Sequence, residues 1–402
     1  MTGRLGRACR AAAALLAALA VQPPVQAAAH PAGDTTHALG VVTWAASAER
    51  LRHDGADRSY RLLVRTSAGG DELRVRLSNA FGDRPLRVNA VYAGDSERGA
   101  AVRDNRRLAF HGRASVTIPR GADVWSDPLR GHVRAGALLA VSLHTPDPAG
   151  PATGHAMALR TSYTARGDHT ADRSAAPWTR TTDSWWYLDA VSVRPDHPGT
   201  GAVAALGDSI TDGRASTPDR DLRWPDLLAR RLARTSLAGV ADEGISGNRV
   251  LSGGGGGPSA LGRLDRDVLE LPGVRTVILF EGVNDLKAGT GVTAADLLAG
   301  YRKIVRRAHA AGRCVVGATI APFQGRPEWS PAAEAVRREV NHHIRGGDGF
   351  DAVVDFDRAL RDPRRPERMR PAYDSGDHLH PGDRGMRALA DAVGLSRLRC
   401  AR

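Results

Sequence analysis

The sequence predicts two fold classes in one chain, an all-β sandwich followed by an α/β domain whose mostly parallel sheet is covered by helices. Three observations carry this. From about Leu39 to Val193, short runs alternate apolar and polar residues and are separated by turn signals, with no long helical pattern. Arg194-Pro195-Asp196-His197-Pro198-Gly199 then interrupts the pattern as a linker would. Beyond it, compact apolar runs alternate with amphipathic stretches at helical spacing, the texture of a parallel sheet. A chain of 402 residues has room for two domains of ordinary size.

In the first region Leu73, Val75 and Leu77 alternate, as do Leu86, Val88, Ala90 and Tyr92, and Leu139, Val141 and Leu143. Between them lie Ala68-Gly69-Gly70-Asp71, Gly82-Asp83-Arg84-Pro85 and the Pro/Gly-rich stretch 146–151. Regular short strands of this kind read as a sandwich, with jelly-roll-like connections an option. In the second region Val203 to Leu206 reads as a buried strand, Trp224 to Leu232 as a helix with Pro225 in its first turn, and Thr276 to Phe280 as a strand. Ala294 to Ala311 is a long amphipathic helix stopped by Gly312. Strands Cys314 to Ile320 and Ala352 to Phe356 and helices Ala332 to Ile344 and Arg384 to Val393 complete the alternation. Gly253 to Gly257 is the one low-complexity segment and reads as a loop.

Residues 1–29 stand apart. Arg4, Arg7 and Arg10 form a basic head, Ala11 to Val21 is apolar, and Val25-Gln26-Ala27 or Ala27-Ala28-Ala29 offers a small-residue cleavage site. This is the pattern of a secretory signal peptide, and its apolar run is short for a membrane span. The expected layout is therefore a signal peptide over 1–29, a β-sandwich accessory domain over 30–195 and a catalytic domain over 196–402, in a secreted protein without stable membrane insertion.

The formal charge of +12 comes almost wholly from arginine, since Lys287 and Lys303 are the two lysines. The arginines are scattered, which argues against a nucleic-acid surface, where a localised patch is expected. Weak attraction to anionic polysaccharide is the more natural consequence. Cys314 and Cys400 follow the leader; an oxidising exterior permits a bridge between them, and two free thiols are the alternative. No C-x-x-C or paired His/Cys spacing suggests a metal, and no cofactor is expected.

Three short motifs carry the chemistry. Gly207-Asp208-Ser209 follows the first α/β strand, Gly282-Val283-Asn284-Asp285 the second, and Asp377-His378-Leu379-His380-Pro381 lies near the C-terminus. Together they supply a serine, an amide, an imidazole and a carboxylate, and the first two sit at carboxyl ends of strands, where open α/β sheets place their sites. A serine hydroxyl needs a base to take its proton; His380 fits, with Asp377 three residues earlier able to fix its tautomer. His378 competes but adjoins Asp377 and would tend to point away. Asn284 and the Ser209 N–H can receive an oxyanion, and Gly244-Ile245-Ser246-Gly247-Asn248 offers a third donor. A helix cap at Ser209, an Asx-turn at Asn284 and a surface histidine at position 380 are the plain alternatives. The glycines from Gly253 are not a phosphate loop, because no Lys-Ser/Thr follows. Trp185-Trp186-Tyr187 fills the sandwich core or domain interface, with a sugar platform as the second reading.

These blocks resemble the SGNH, or GDSL-type, hydrolase superfamily of secreted bacterial esterases and lipases: Gly207-Asp208-Ser209, Ile245-Ser246-Gly247, Gly282-Val283-Asn284-Asp285 and Asp377-His378-Leu379-His380. Ile210 replaces the leucine of the commonest first block. The resemblance implies a flavodoxin-like three-layer α/β/α fold, Ser209 as nucleophile, His380 and Asp377 as triad partners, and Ser209, Gly247 and Asn284 as the oxyanion hole. It covers only the C-terminal half and does not define the ester. Short-chain or carbohydrate-linked acyl esters are favoured and lipid esters remain open. A carbohydrate- or cell-wall-binding protein with a vestigial esterase domain, and an acyltransferase using the same site, are the competing readings; the oligomeric state is not legible.

Overall fold

The computed structural model describes residues 40–53, 56–147, 150–254 and 257–399. Segment 1–29, expected to be a signal peptide, part of the Gly253 to Gly257 loop and Cys400 lie outside the described residues; Cys314 is disulfide-bonded.

The N-terminal region is built mostly from antiparallel strands. One sheet runs in the order Val41–Ala45, Leu188–Pro195, Gly70–Ser78, Asp123–Trp125. A second runs Arg180–Thr182, Ser162–Arg166, Arg58–Arg65, Leu138–Thr145, Ala90–Ser96, Val102–Arg107. A three-stranded sheet joins Trp185–Trp186, Pro151–His155 and Glu49–His53. Period-two alternation explains the core: Leu73, Val75 and Leu77 are buried, as are Leu139, Val141 and Leu143. The alternation expected through Leu86, Val88, Ala90 and Tyr92 breaks at Asn89. There the chain leaves Leu86–Val88 and enters Ala90–Ser96, so Val91 and Ala93 are buried and Tyr92 is not. Asn89 donates its N–H to the His144 carbonyl across this break, which resets the side-chain parity.

Trp185 and Tyr187 are buried, Trp185 edge-on to Trp44, and Trp186 stacks on Tyr60 at 5.3 Å. The run is therefore packing, in line with the first of its two readings. Leu188–Pro195 carries strand structure two residues into the expected linker.

The C-terminal domain holds five parallel strands, numbered along this domain: β1 (Ala202–Gly207), β2 (Gly239–Gly244), β3 (Val274–Phe280), β4 (Cys314–Ala318) and β5 (Ala352–Val354). Their order is β2-β1-β3-β4-β5, the flavodoxin-like arrangement. Every residue of β1 is buried, as a central strand covered on both faces requires. The helices are α1 (Trp224–Leu232), α2 (Ala260–Leu264), α3 (Val283–Lys287), α4 (Ala294–Ala310), α5 (Pro331–Arg345), α6 (Phe356–Leu360) and α7 (Asp383–Ala392). Contacts join α1 and α6 to α7, and join α2 and α5 to α4, giving the two helical layers. In α4, Thr293 and Asp296 form a capping box, and Leu297, Tyr301, Ile304 and Ala308 bury one face. No described helix is long and apolar enough to cross a membrane.

Strand β2 is absent from the sequence expectations. It is an edge strand reading Gly-Val-Ala-Asp-Glu-Gly, and its acidic pair masks the apolar signal. The N-terminal region covers this edge. Ala46 bridges Asp242 in parallel register, Ser67 Oγ accepts the Val240 N–H, and Ser47 Oγ donates to Glu243 at 2.7 Å. A side chain on Gly239 would collide with the Val42 carbonyl, so the approach depends on glycine. Buried apolar residues of both regions form one contiguous cluster, from Val41 to Leu398.

Candidate active site

The switch point between β1 and β3, where the strand order reverses, gathers the motifs. At the end of β1 a Cβ on Gly207 would strike the Thr211 side chain and come within 2.8 Å of the Phe280 carbonyl, so only glycine lets the chain turn here. Asp208 is buried, accepts the Ile210 N–H through Oδ1 and passes its own carbonyl to the Asp212 N–H. Burial pushes its carboxyl up to about 7, aided by Asp285 and Asp212 and opposed by the Ile210 N–H and Lys287. Its part is to hold the turn that presents Ser209.

Ser209 Oγ lies 2.8 Å from His380 Nε2, and His380 Nδ1 lies 2.5 Å from Asp377 Oδ2. Serine and imidazole are 4 % and 7 % exposed, whereas the Asp377 side chain is 36 % exposed. The loop is self-braced: Asp377 Oδ1 accepts the N–H groups of Leu379 and His380. It is also tied to the segment after Ser209, because Asp383 at the start of α7 accepts the Thr217 N–H and hydroxyl. Partial burial works to raise the Asp377 pKa, but the N–H and ring of His380 and the Leu379 N–H outweigh it and hold the carboxylate well below its usual range. Burial lowers the His380 pKa, with Arg214 and Lys287 adding to it and Asp377 opposing. The imidazole is thus neutral at pH 7, with Nδ1–H toward Asp377 and a lone pair toward Ser209. His378 turns away: it sits at positive φ and pairs with Asp374 at 2.6 Å.

Asn284 opens α3 behind Gly282, whose φ of +121° and closeness to the Tyr301 hydroxyl exclude a side chain. The Asn284 amide is oriented from both ends. Its Nδ2 donates to the Asn248 carbonyl at 2.9 Å, and its Oδ1 accepts Lys287 Nζ at 3.3 Å. Asp285 accepts the N–H groups of Val250 and Leu251, which fastens the Gly247 loop to α3. Gly247 has φ +80° with open space around it, and among the described residues no group accepts a hydrogen bond from its N–H or from that of Ser209. Ser209, His380 and Asp377 are thus joined by direct contacts, and Asn284 is joined to the Gly247 loop through Asn248.

The sequence reading missed the groups beneath it. Arg263 is fully buried and donates to the Gly207 and Glu243 carbonyls, Asn248 Oδ1 and Ser47 Oγ, joining β1, β2 and the Gly247 loop. Nothing in its local pattern distinguishes it from other helical arginines. Lys287, one helical turn after Asn284, was a signal the spacing did contain.

Residues 205–388 match the family model described as GDSL-like lipase/acylhydrolase. The C-terminal half of the chain is thus similar to GDSL-like lipases and acylhydrolases. Solved structures similar to it include an aryl esterase from M. smegmatis, 19% identical, with 48% of this chain and 95% of that chain covered at a TM-score of 0.40. A carbohydrate acetylesterase family member from Sinorhizobium meliloti is 16% identical over 48% of this chain and 94% of that one, TM-score 0.39. A GDSL-like lipase from Bacteroides thetaiotaomicron is 19% identical over 48% and 86%, TM-score 0.38. No curated protein matches the chain in sequence.

Proposed function

We propose that the protein is a serine esterase that hydrolyses carboxylic esters. The observation that carries this is the continuous chain Ser209 Oγ, His380 Nε2, His380 Nδ1, Asp377 Oδ2, with links of 2.8 and 2.5 Å. Ser209 attacks the ester carbonyl as His380 takes its proton, and Asp377 stabilises the imidazolium that forms. The oxyanion falls to the N–H groups of Ser209 and Gly247 and the Asn284 amide, donors held by the fold rather than recruited during the reaction. His380 then protonates the leaving alcohol, and water activated by the same ring releases the acid. The reaction needs no group beyond these side chains and backbone donors.

Short-chain or carbohydrate-linked acyl esters are the favoured substrates, in keeping with the acetylesterase among the similar structures. The basic head and apolar run of residues 1–29 support export, which N-terminal sequencing of protein from the culture medium checks. Ser209→Ala should abolish release of p-nitrophenol from its acetate ester, and undiminished activity refutes the assignment. A p-nitrophenyl chain-length series beside acetylated xylan then orders the substrates.

A further inference from the structure

One buried contact outside the Ser209–His380–Asp377 chain crosses from the β-rich region into the loops around it. His155, at the end of Pro151–His155, places Nδ1 3.0 Å from the Ser47 carbonyl. Its Nε2 lies 2.9 Å from Asp212 Oδ1 and 3.2 Å from the Met157 carbonyl. The side chains of His155 and Asp212 are 4 % and 2 % exposed. The other Asp212 oxygen, Oδ2, accepts both the N–H of Ser246, at 3.1 Å, and its hydroxyl, at 2.8 Å. Ser246 immediately precedes Gly247, and Asp212 stands three residues after Ser209.

We infer that His155 is a positioning residue for the oxyanion hole: through Asp212 it locks Ser246, and so sets the direction of the Gly247 N–H. This rests on the esterase reading above. Both ring nitrogens face atoms that only accept, so the geometry calls for a doubly protonated ring. The charged groups around it come from several elements. Asp212 follows β1, Glu49 lies on Glu49–His53 and accepts the Ala156 N–H, and Arg223 precedes α1 and donates to the Asp212, Met157 and Ala158 carbonyls. Trp185 adds an uncharged wall, its ring 5.5 Å from the imidazole. Burial opposes the charge, as does Arg223, but Asp212 and Glu49 prevail and hold the imidazolium up to about 9. Above that pH one ring nitrogen loses its proton, a lone pair faces an acceptor, and the clamp on Asp212 loosens.

Two variants test this with p-nitrophenyl acetate after subtraction of the uncatalysed rate. His155→Phe keeps the ring volume and removes both donors. Its kcat should fall about 10- to 100-fold, as for a misplaced catalytic group, with KM held within about twofold. His155→Gln restores a donor toward Asp212 that does not titrate. It should recover most of the lost kcat and remove the decline in kcat expected of the native protein above about pH 9. A Phe variant with native kcat, or a Gln variant that keeps the alkaline decline, overturns the inference. If His155→Phe does not fold, judged by circular dichroism, the Gln pH profile decides alone. Ser209→Ala run alongside separates the two claims. An active Ser209→Ala protein sinks the esterase reading itself, whereas an inactive one beside a fully active His155→Phe sinks only the role of His155.

Discussion

Asp377→Asn probes the proposed triad with little change in shape. In the native loop Asp377 Oδ1 accepts the N–H groups of Leu379 and His380, so an asparagine carbonyl keeps both bonds and the loop stays folded. The amide NH2 then occupies the place of Oδ2, 2.5 Å from His380 Nδ1. Two donors cannot share that contact, so the ring shifts its proton to Nε2 and points it at Ser209. The base is then in the wrong tautomer, and the imidazolium loses its counter-charge. Such a change in a buried triad costs about ten-thousandfold in kcat, or about 5 kcal/mol. Here the carboxylate is 36 % exposed, and water can partly compensate, so the expected loss is about a thousand- to ten-thousandfold. Steady-state hydrolysis of p-nitrophenyl acetate reads kcat directly, and circular dichroism checks the fold. A loss below about tenfold in a folded variant refutes the argument, because general-base catalysis alone is worth more than that.

Asn284→Ala removes an amide already oriented by Asn248 and Lys287, so kcat should fall about 100- to 1000-fold while KM changes little, as stopped kinetics over a substrate series will show. The His380 pKa is lowered, and the base works only when neutral. Thus kcat/KM should decline as pH drops through a midpoint below the ordinary imidazole value of 6.5, and a pH–rate profile with a higher midpoint contradicts the site's electrostatics. Arg337→Met should destabilise the fold rather than the chemistry. Its buried fork binds Glu334 and reaches Asp357 at 2.8 Å, but Arg345 and Arg361 continue to pair Asp357. The expected cost, from urea unfolding, is therefore near the low end for a broken buried pair, about 3 kcal/mol.

Much of the α/β half is legible locally because its signals are local. A buried central strand such as Ala202–Gly207 is a run of small and apolar residues, and Trp224–Leu232 announces itself by proline and spacing. Asp377 and His380 lie within one loop, so their pairing needs only short-range reach. The N-terminal alternation is legible at Leu73, Val75 and Leu77 and at Leu139, Val141 and Leu143, but fails at Asn89, where the chain passes from one strand into the next and the inward face changes. Edge strand Gly239–Gly244 escapes because its acidic pair is covered by distant parts of the chain: Ser47 reaches the Glu243 carboxylate, Arg263 its carbonyl, and Ala46 bridges the Asp242 backbone.

The sequence by itself determined the chemistry on offer and the order of its parts. Ser209, Gly247, Asn284, Asp377 and His380 sit in motifs whose glycines and strand ends follow from local sterics. Only the tertiary structure decided what surrounds them. Fifty-seven residues separate His155 from Asp212, and 171 separate Ser209 from His380. Contacts of that range carry no periodicity along the chain; the first exists because the N-terminal region packs on the edge of the parallel sheet, the second because the last loop returns to the carboxyl end of β1. Burying that edge brings polar groups of the N-terminal region against it, as where Ser47 reaches Glu243, and the same packing sets His155 on Asp212 beside the loops around Ser209.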